Sequence, residues 1–223
     1  MTHHMVLEQL HSVIGDLIRL SLCDRQNYPS ERTTQGGVVE ITFLGAEKIT
    51  AALRNQPYRD IYDELNRHDA YSIKMLDGAL VQMSYCFSGE NLIKHRLAFF
   101  PSPHLEDFQN EPEIYEDDEI FADILAKNIV PFPLRFDFDS DDELFQELDH
   151  PRSHLTLGQF KNCRIPVTAP LSPFQFVSFI LRNFYNTAHR KYSGEIAEFK
   201  DAFPETIAGT ERQVLHVQVQ SGA

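Results

Sequence analysis

A chain of 223 residues with 42% hydrophobic side chains is long enough to bury a sizeable core, as one large domain or two small ones. Its formal net charge of −13 excludes a protein whose main task is to coat nucleic acid non-specifically, because neutralising phosphates needs a surplus of Lys and Arg. A local basic groove stays compatible with that balance, and much of the acid is concentrated in two stretches, LEDFQNEPEIYEDDE (105–119) and DFDSDDELFQELD (137–149).

In chain order, residues 5–22 predict an amphipathic helix, since Val6, Leu10, Val13, Ile14, Leu17 and Leu20 recur at three- and four-residue steps. The start, MTHHMVLEQLHSVIGD, has no basic region followed by an apolar run, so no signal peptide is expected. Asn27–Gly37 is polar and ends in Gly-Gly, which reads as a loop. VVEITFL (38–44) alternates and predicts a half-buried strand. Ala46–Asn55 and Arg59–Arg67 read as two short helices separated by Pro57.

From Tyr71 to Phe100 the period changes to two, with hairpin signals at Asp77-Gly78, a type I′ dipeptide, and at Ser88-Gly89-Glu90. This predicts a three-stranded antiparallel meander, with Met83 and Tyr85 on one face and Gln82 and Ser84 on the other. Asp117–Asn128 predicts a helix with an acidic first turn. PFPLRFDFD (131–139) alternates Phe132, Leu134, Phe136 and Phe138 against Arg135, Asp137 and Asp139. Ser172–Arg190 predicts a long helix, capped by Ser172 with Pro173 at its first position. Residues 213–220 alternate like a strand. These elements make one α+β domain over 1–223, a mainly antiparallel sheet backed by helices.

Three cysteines without a CxxC, Cys23, Cys86 and Cys163, are neither a disulfide framework nor a zinc ribbon. No apolar run approaches the roughly 18 residues of a membrane span. A cytoplasmic, reducing location with no membrane association is expected.

The chemistry-bearing stretch is HPRSHLTLGQFKNCRIPV (150–167). His150 and His154 have the HxxxH spacing of helical zinc ligands. Pro151, however, pushes His150 toward extended geometry, where four residues span roughly 13 Å. A shared metal then requires the chain to turn between them. In an extended segment Leu155 and Leu157 face the core, and Arg152, His154 and Thr156 share the other face. Arg135, Asp137 and Asp139 do the same on the preceding strand, and Lys94 and Arg96 on the meander, which leaves His95 on the apolar side. Such a face suits an anionic substrate: Arg96, Arg135, Arg152 and Arg164 could bind phosphate, His154 could move a proton, and Asp137 could hold its tautomer. The same residues also suit the solvated face of an ordinary antiparallel sheet. Cys163-Arg164 admits a thiolate reading, against that of a small core thiol. DFDSDDE lacks the glycine of a calcium loop and reads as an acidic turn. No metal and no cofactor is expected.

MLDGALVQMSYCF, KHRLAFFPSP and HPRSHLTLGQFKNCRIPVTAPLSPFQFVSFILRNFY resemble a bacterial family catalogued as domain of unknown function 2290, over roughly residues 70–190. The resemblance implies a prokaryotic protein and assigns no activity. The R-x-D strand followed by a His-containing strand is similar, more distantly, to small toxin ribonucleases of toxin–antitoxin pairs. Two functions follow as expectations. One is a phosphodiesterase or ribonuclease effector of a toxin or anti-phage system acting on RNA or DNA. The other is a non-catalytic structural or sensor subunit docking on an operon-encoded ATPase or nuclease.

Overall fold

The computed structural model describes residues 1–43, 45–46, 56–104, 131–160 and 162–221. The helices expected at Ala46–Asn55 and Asp117–Asn128 lie, but for Ala46, outside the described residues.

Helix α1 (His3–Arg19) buries Val6, Leu10, Val13, Ile14 and Leu17, and the Thr2 side chain accepts from the Met5 N–H at its start. It ends three residues short of the expected end at Leu22: Ser21 takes a left-handed φ of 55°, and Leu22 N–H and Ser21 N–H donate to the Leu17 and Ile18 carbonyls. That pairing is a Schellman stop, here built on serine in place of glycine.

The sheet has nine strands: β1 (Cys23–Gln26), β2 (Ser30–Thr33), β3 (Val38–Thr42), β4 (Ile73–Met75), β5 (Leu80–Ser88), β6 (Asn91–Phe100), β7 (Leu134–Asp139), β8 (Ser153–Leu157) and β9 (Ile165–Pro166). Their order is β1-β4-β5-β6-β7-β8-β9, every pairing antiparallel, with the β2–β3 hairpin joined through β3 to the far half of β5. Strand β2 corrects the loop expected over Asn27–Gly37. All four of its side chains are exposed, so no apolar period marks it, and its backbone pairs with β3 alone.

The Asp77-Gly78 hairpin forms, but not as a type I′ turn. Gly78 N–H donates to the Met75 carbonyl, and of the two dipeptide residues only Gly78 has positive φ (85°). This is the three-residue loop in which a glycine closes a bulge. Tyrosines hold it: Tyr62 donates to the Gly78 carbonyl at 2.6 Å, and Tyr185 donates to Asp77 Oδ1 at 2.8 Å.

Helices cover both faces. On one, α1 and α3 (Pro173–Phe184) pack against Met83, Tyr85, Phe87, Leu97, Phe99 and Phe136, forming the main core. On the other, α2 (Tyr58–Arg67) places Ile61, Tyr62 and Leu65 on Leu80, Ala98 and Phe100. Gln82 lies on this second face, as expected, and donates to the Ala70 carbonyl at 2.5 Å. Helix α3 starts on a capping box, Ser172 with Gln175, and Pro173 at its first position. The expected run to Arg190 breaks at Tyr185, whose φ of −134° separates α3 from α4 (Asn186–Tyr192). The hydroxyl that bonds Asp77 belongs to this residue, so a tertiary contact overrides the helical pattern there. The strand expected at 213–220 is reduced to one parallel bridge, Val167 to Val217, flanked by bonds between Thr168 and Val219. Gln213 instead ends a 3-10 turn, Glu211–Gln213, and the remainder of 213–220 pairs with no strand.

Candidate functional site

Strand register lines up a polar row on the face that α2 covers at its other end. Ser84 lies opposite Arg96, Arg96 opposite Asp137, and Asp137 opposite His154. Asp137 accepts from Arg96 Nε at 3.1 Å and from Arg135 Nε at 2.5 Å, one arginine on each carboxylate oxygen. Burial pushes this carboxyl up, but Arg135, Arg96 and His154 outweigh it and hold it below the usual carboxylate range. One row away Lys94 bonds Asp139 at 2.9 Å. Lys94 and Asp139 cancel, whereas Arg96 and Arg135 share the single charge of Asp137.

His154 is buried. Its Nδ1 lies 2.9 Å from the Pro151 carbonyl, which can only accept, so Nδ1 carries the proton and Nε2 is a bare lone pair. That Nε2 is 3.9 Å from Asp137 Oδ2, beyond hydrogen-bond reach. Burial lowers the imidazole's proton affinity, against the opposing effects of the Pro151 carbonyl and Asp137. The tautomer is thus fixed by Pro151 and not by Asp137. Arg164, just before β9, is near enough for its charge to disfavour protonation of His154 further.

Arg152 does not join the row. Its carbonyl accepts from the Asp139 N–H at 3.0 Å, one step beyond the Phe138–Ser153 pair, and its guanidinium reaches past the end of β7. It donates to the Ser140 carbonyl at 2.9 Å and to Asp142, and it lies 4.9 Å over the Phe145 ring. His150 completes the same turn, with Nδ1 2.6 Å from the Leu144 carbonyl and a bridge to Gln146. The chain bends at Pro151, bringing the His150 and His154 ring centroids to 5.2 Å, yet the Nδ1 of each is spent on a carbonyl. Phe132 precedes β7 and is exposed, against its expected inward place. His95 faces the main core, where Nε2 accepts from the Leu171 N–H at 3.2 Å and burial lowers its pKa to about 4.

Two surface features flank the row. The first is a cleft of about 710 Å³ lined by Arg135, Thr156, Phe100, Ile61, Pro133 and Phe160. The second is the turn over 140–149, which His150 and Arg152 hold. It exposes Asp141, Asp142, Glu143, Glu147 and Asp149 together with Leu144 and Leu148. Leu148 has a φ of 68°, a left-handed conformation that a leucine adopts at a cost. The acidic composition of 137–149 marked a turn in the sequence. The signal missed was the pair of leucines interleaved with the acids, since nothing local said they would stay uncovered.

Fold and site together define an α+β protein built on one open antiparallel sheet, with a row of paired charges on one face and an ordered acidic turn beside it. The chain belongs to the family described as uncharacterized conserved protein (DUF2290), which matches residues 22–219, a wider span than the motifs at 70–190 that carry the resemblance. No curated protein and no solved structure matches the chain. Among the described residues, no helix is long and apolar enough to cross a membrane.

Proposed function

We propose that the chain is a non-catalytic subunit of a prokaryotic toxin or antiviral-defence system, acting in the cytoplasm by docking on a larger operon-encoded ATPase or nuclease. One observation carries the reading: the turn at 140–149 presents exposed Leu144 and Leu148 among five exposed carboxylates while being fixed to the sheet by Arg152 and His150. A fixed acidic turn with apolar tips fits a basic partner surface with a small apolar recess. Desolvated side chains at the centre supply the affinity, and the charges supply steering. Of the residues expected to catalyse, Arg152 is engaged in this turn and Asp137 by two arginines, while Pro151 takes the His154 N–H and leaves its Nε2 unpaired.

The test is co-expression with the neighbouring large gene, affinity capture and measurement of the complex. Leu144→Ser with Leu148→Gly is expected to weaken it at least tenfold. Melting of the isolated chain should stay within a few degrees, because glycine relieves the left-handed strain of about 1–2 kcal/mol while adding roughly 0.5–1 kcal/mol of chain entropy. Unchanged affinity of the double variant overturns the docking role of the turn.

The phosphodiesterase or ribonuclease reading is supported by the Arg135 guanidinium on the cleft wall, with Thr156 beside it. Cleavage of RNA by the isolated chain, abolished in folded His154→Ala and Arg135→Ala, would establish it in place of the docking reading.

A further inference from the structure

Outside the polar row, two histidines from the first turn of α1 converge on one carboxylate of β2. His3 Nδ1 is 3.1 Å and His4 Nδ1 3.7 Å from the same oxygen, Glu31 Oε2. Among the described residues these three are the one group of His, Cys, Asp or Glu side chains whose ligand atoms all lie within 4.8 Å of one another. A tetrahedral ion with bonds of about 2.0–2.2 Å holds its ligand atoms about 3.4 Å apart, so modest side-chain rotation closes the set. An ion pair accounts for one histidine on Glu31. His4 Nδ1, at 3.7 Å, is too far from that oxygen for a hydrogen bond.

We propose that His3, His4 and Glu31 bind a divalent transition-metal ion, with zinc as its simplest occupant, and that the ion clips the start of α1 to strand β2. Three features support this. The donor set, two imidazoles and a carboxylate, is one that zinc and its neighbours accept, with water taking the open position. His3 is already placed: its side chain is largely buried, its ring lying 6.0 Å from that of Phe87, whereas His4 is exposed and free to swing in. Finally, with the metal on Nδ1 the His3 Nε2 carries the proton, and the exposed Glu90 side chain, whose Oε1 lies 4.0 Å away on the β5–β6 turn, has to swing in to accept it. A carboxylate behind a ligating imidazole is the usual partner that fixes its tautomer and raises its basicity. The clip would act where the fold is otherwise weakly tied, since β2 pairs with β3 alone, and α1 reaches this edge through His11, whose Nε2 is 3.0 Å from the Pro29 carbonyl.

The experiment uses the full chain, stripped with chelator, kept reduced and titrated with zinc chloride by calorimetry, with thermal melting as a second readout. The expected result is one equivalent bound, proton release that grows as pH falls toward 6, and a melting temperature raised by zinc and restored by chelator. Glu90→Gln should weaken binding by less than about tenfold, since at 4.0 Å its carboxylate makes no hydrogen bond to His3 in the metal-free chain. His4→Ala and Glu31→Gln should weaken it further and abolish the zinc-dependent rise in melting temperature. His4 is exposed, so metal-free His4→Ala should melt like the metal-free wild type, and metal-free Glu31→Gln, which weakens the His3 contact, should melt within about 4 °C of it. His11→Gln should bind like wild type. No zinc uptake by the wild type overturns the proposal, and so does wild-type affinity in both His4→Ala and Glu31→Gln, which would put the ion on other side chains, the three cysteines first among them.

Discussion

Replacing Asp137 by asparagine tests whether the polar row is a structural device. The wild-type carboxylate accepts one charge-assisted hydrogen bond on each oxygen, from Arg96 and from Arg135. Asparagine keeps one neutral acceptor and turns an NH2 toward the other guanidinium, so one bond is weakened and the other lost. Bonds to charged groups are each worth about 1.5–3 kcal/mol. Stranding a fully buried charge costs about 3–5 kcal/mol, but the arginine side chains remain 31% and 24% exposed and can rehydrate. The expected loss is about 2–3 kcal/mol, or about 4–12 °C in melting temperature for a chain of this size. Urea unfolding followed by circular dichroism measures it, with Asp139→Asn as a control. Its partner Lys94 is half exposed, and a pair of that kind contributes about 1 kcal/mol or less. The pH dependence gives a second handle. Because the folded carboxyl titrates below its unfolded value of about 3.9, its contribution is fully present above that value and is lost as pH falls through the folded one. The gap between wild type and variant should therefore be flat at neutral pH and close on acidification below about pH 4. A variant melting within about 1 °C of wild type, or a gap that widens in acid, would refute the assignment of Asp137 as the anchor of this row.

The buried His95 predicts a different window. Its folded pKa of about 4 lies below the unfolded value of about 6.5, so the unfolded chain binds more protons between the two, and stability is lost as pH falls through that range. His95→Gln keeps an acceptor for the Leu171 N–H and should flatten the urea midpoint against pH, leaving the smaller slope of the same sign due to His154, which burial also lowers. At the hairpins, Gly89→Ala should cost only the left-handed conformation, about 1–2 kcal/mol, because nothing approaches its added methyl within 4 Å. Gly78→Ala should cost more by thermal melting, since that methyl meets the Ser102 and Tyr62 hydroxyl oxygens at 3.2 Å.

Where sequence and structure agree, the determinant is local. The meander is legible because alternation and two glycine turns sit within thirty residues, and the start of α3 because Ser172, Pro173 and Gln175 complete a cap with no help from elsewhere. Where they part, the determinant is a distant partner. Nothing in SERT (30–33) distinguishes a strand from a loop, since only the backbone of β3 makes it one. Nothing near Tyr185 breaks a helix, since the Asp77 carboxylate comes from a hairpin more than a hundred residues away. The site divides in the same way. The pairing of Asp137 with His154 follows from two alternating strands and is legible once they are neighbours. Arg152 lies one step past the end of the row: its carbonyl still accepts from the Asp139 N–H, but β7 ends at Asp139, and the guanidinium finds Ser140, Asp142 and Phe145 in the turn beyond. Alternation fixes which side chains share a face, but not what the chain places beside the last of them. Here it is the acidic turn, and the arginine expected to clamp phosphate holds that turn.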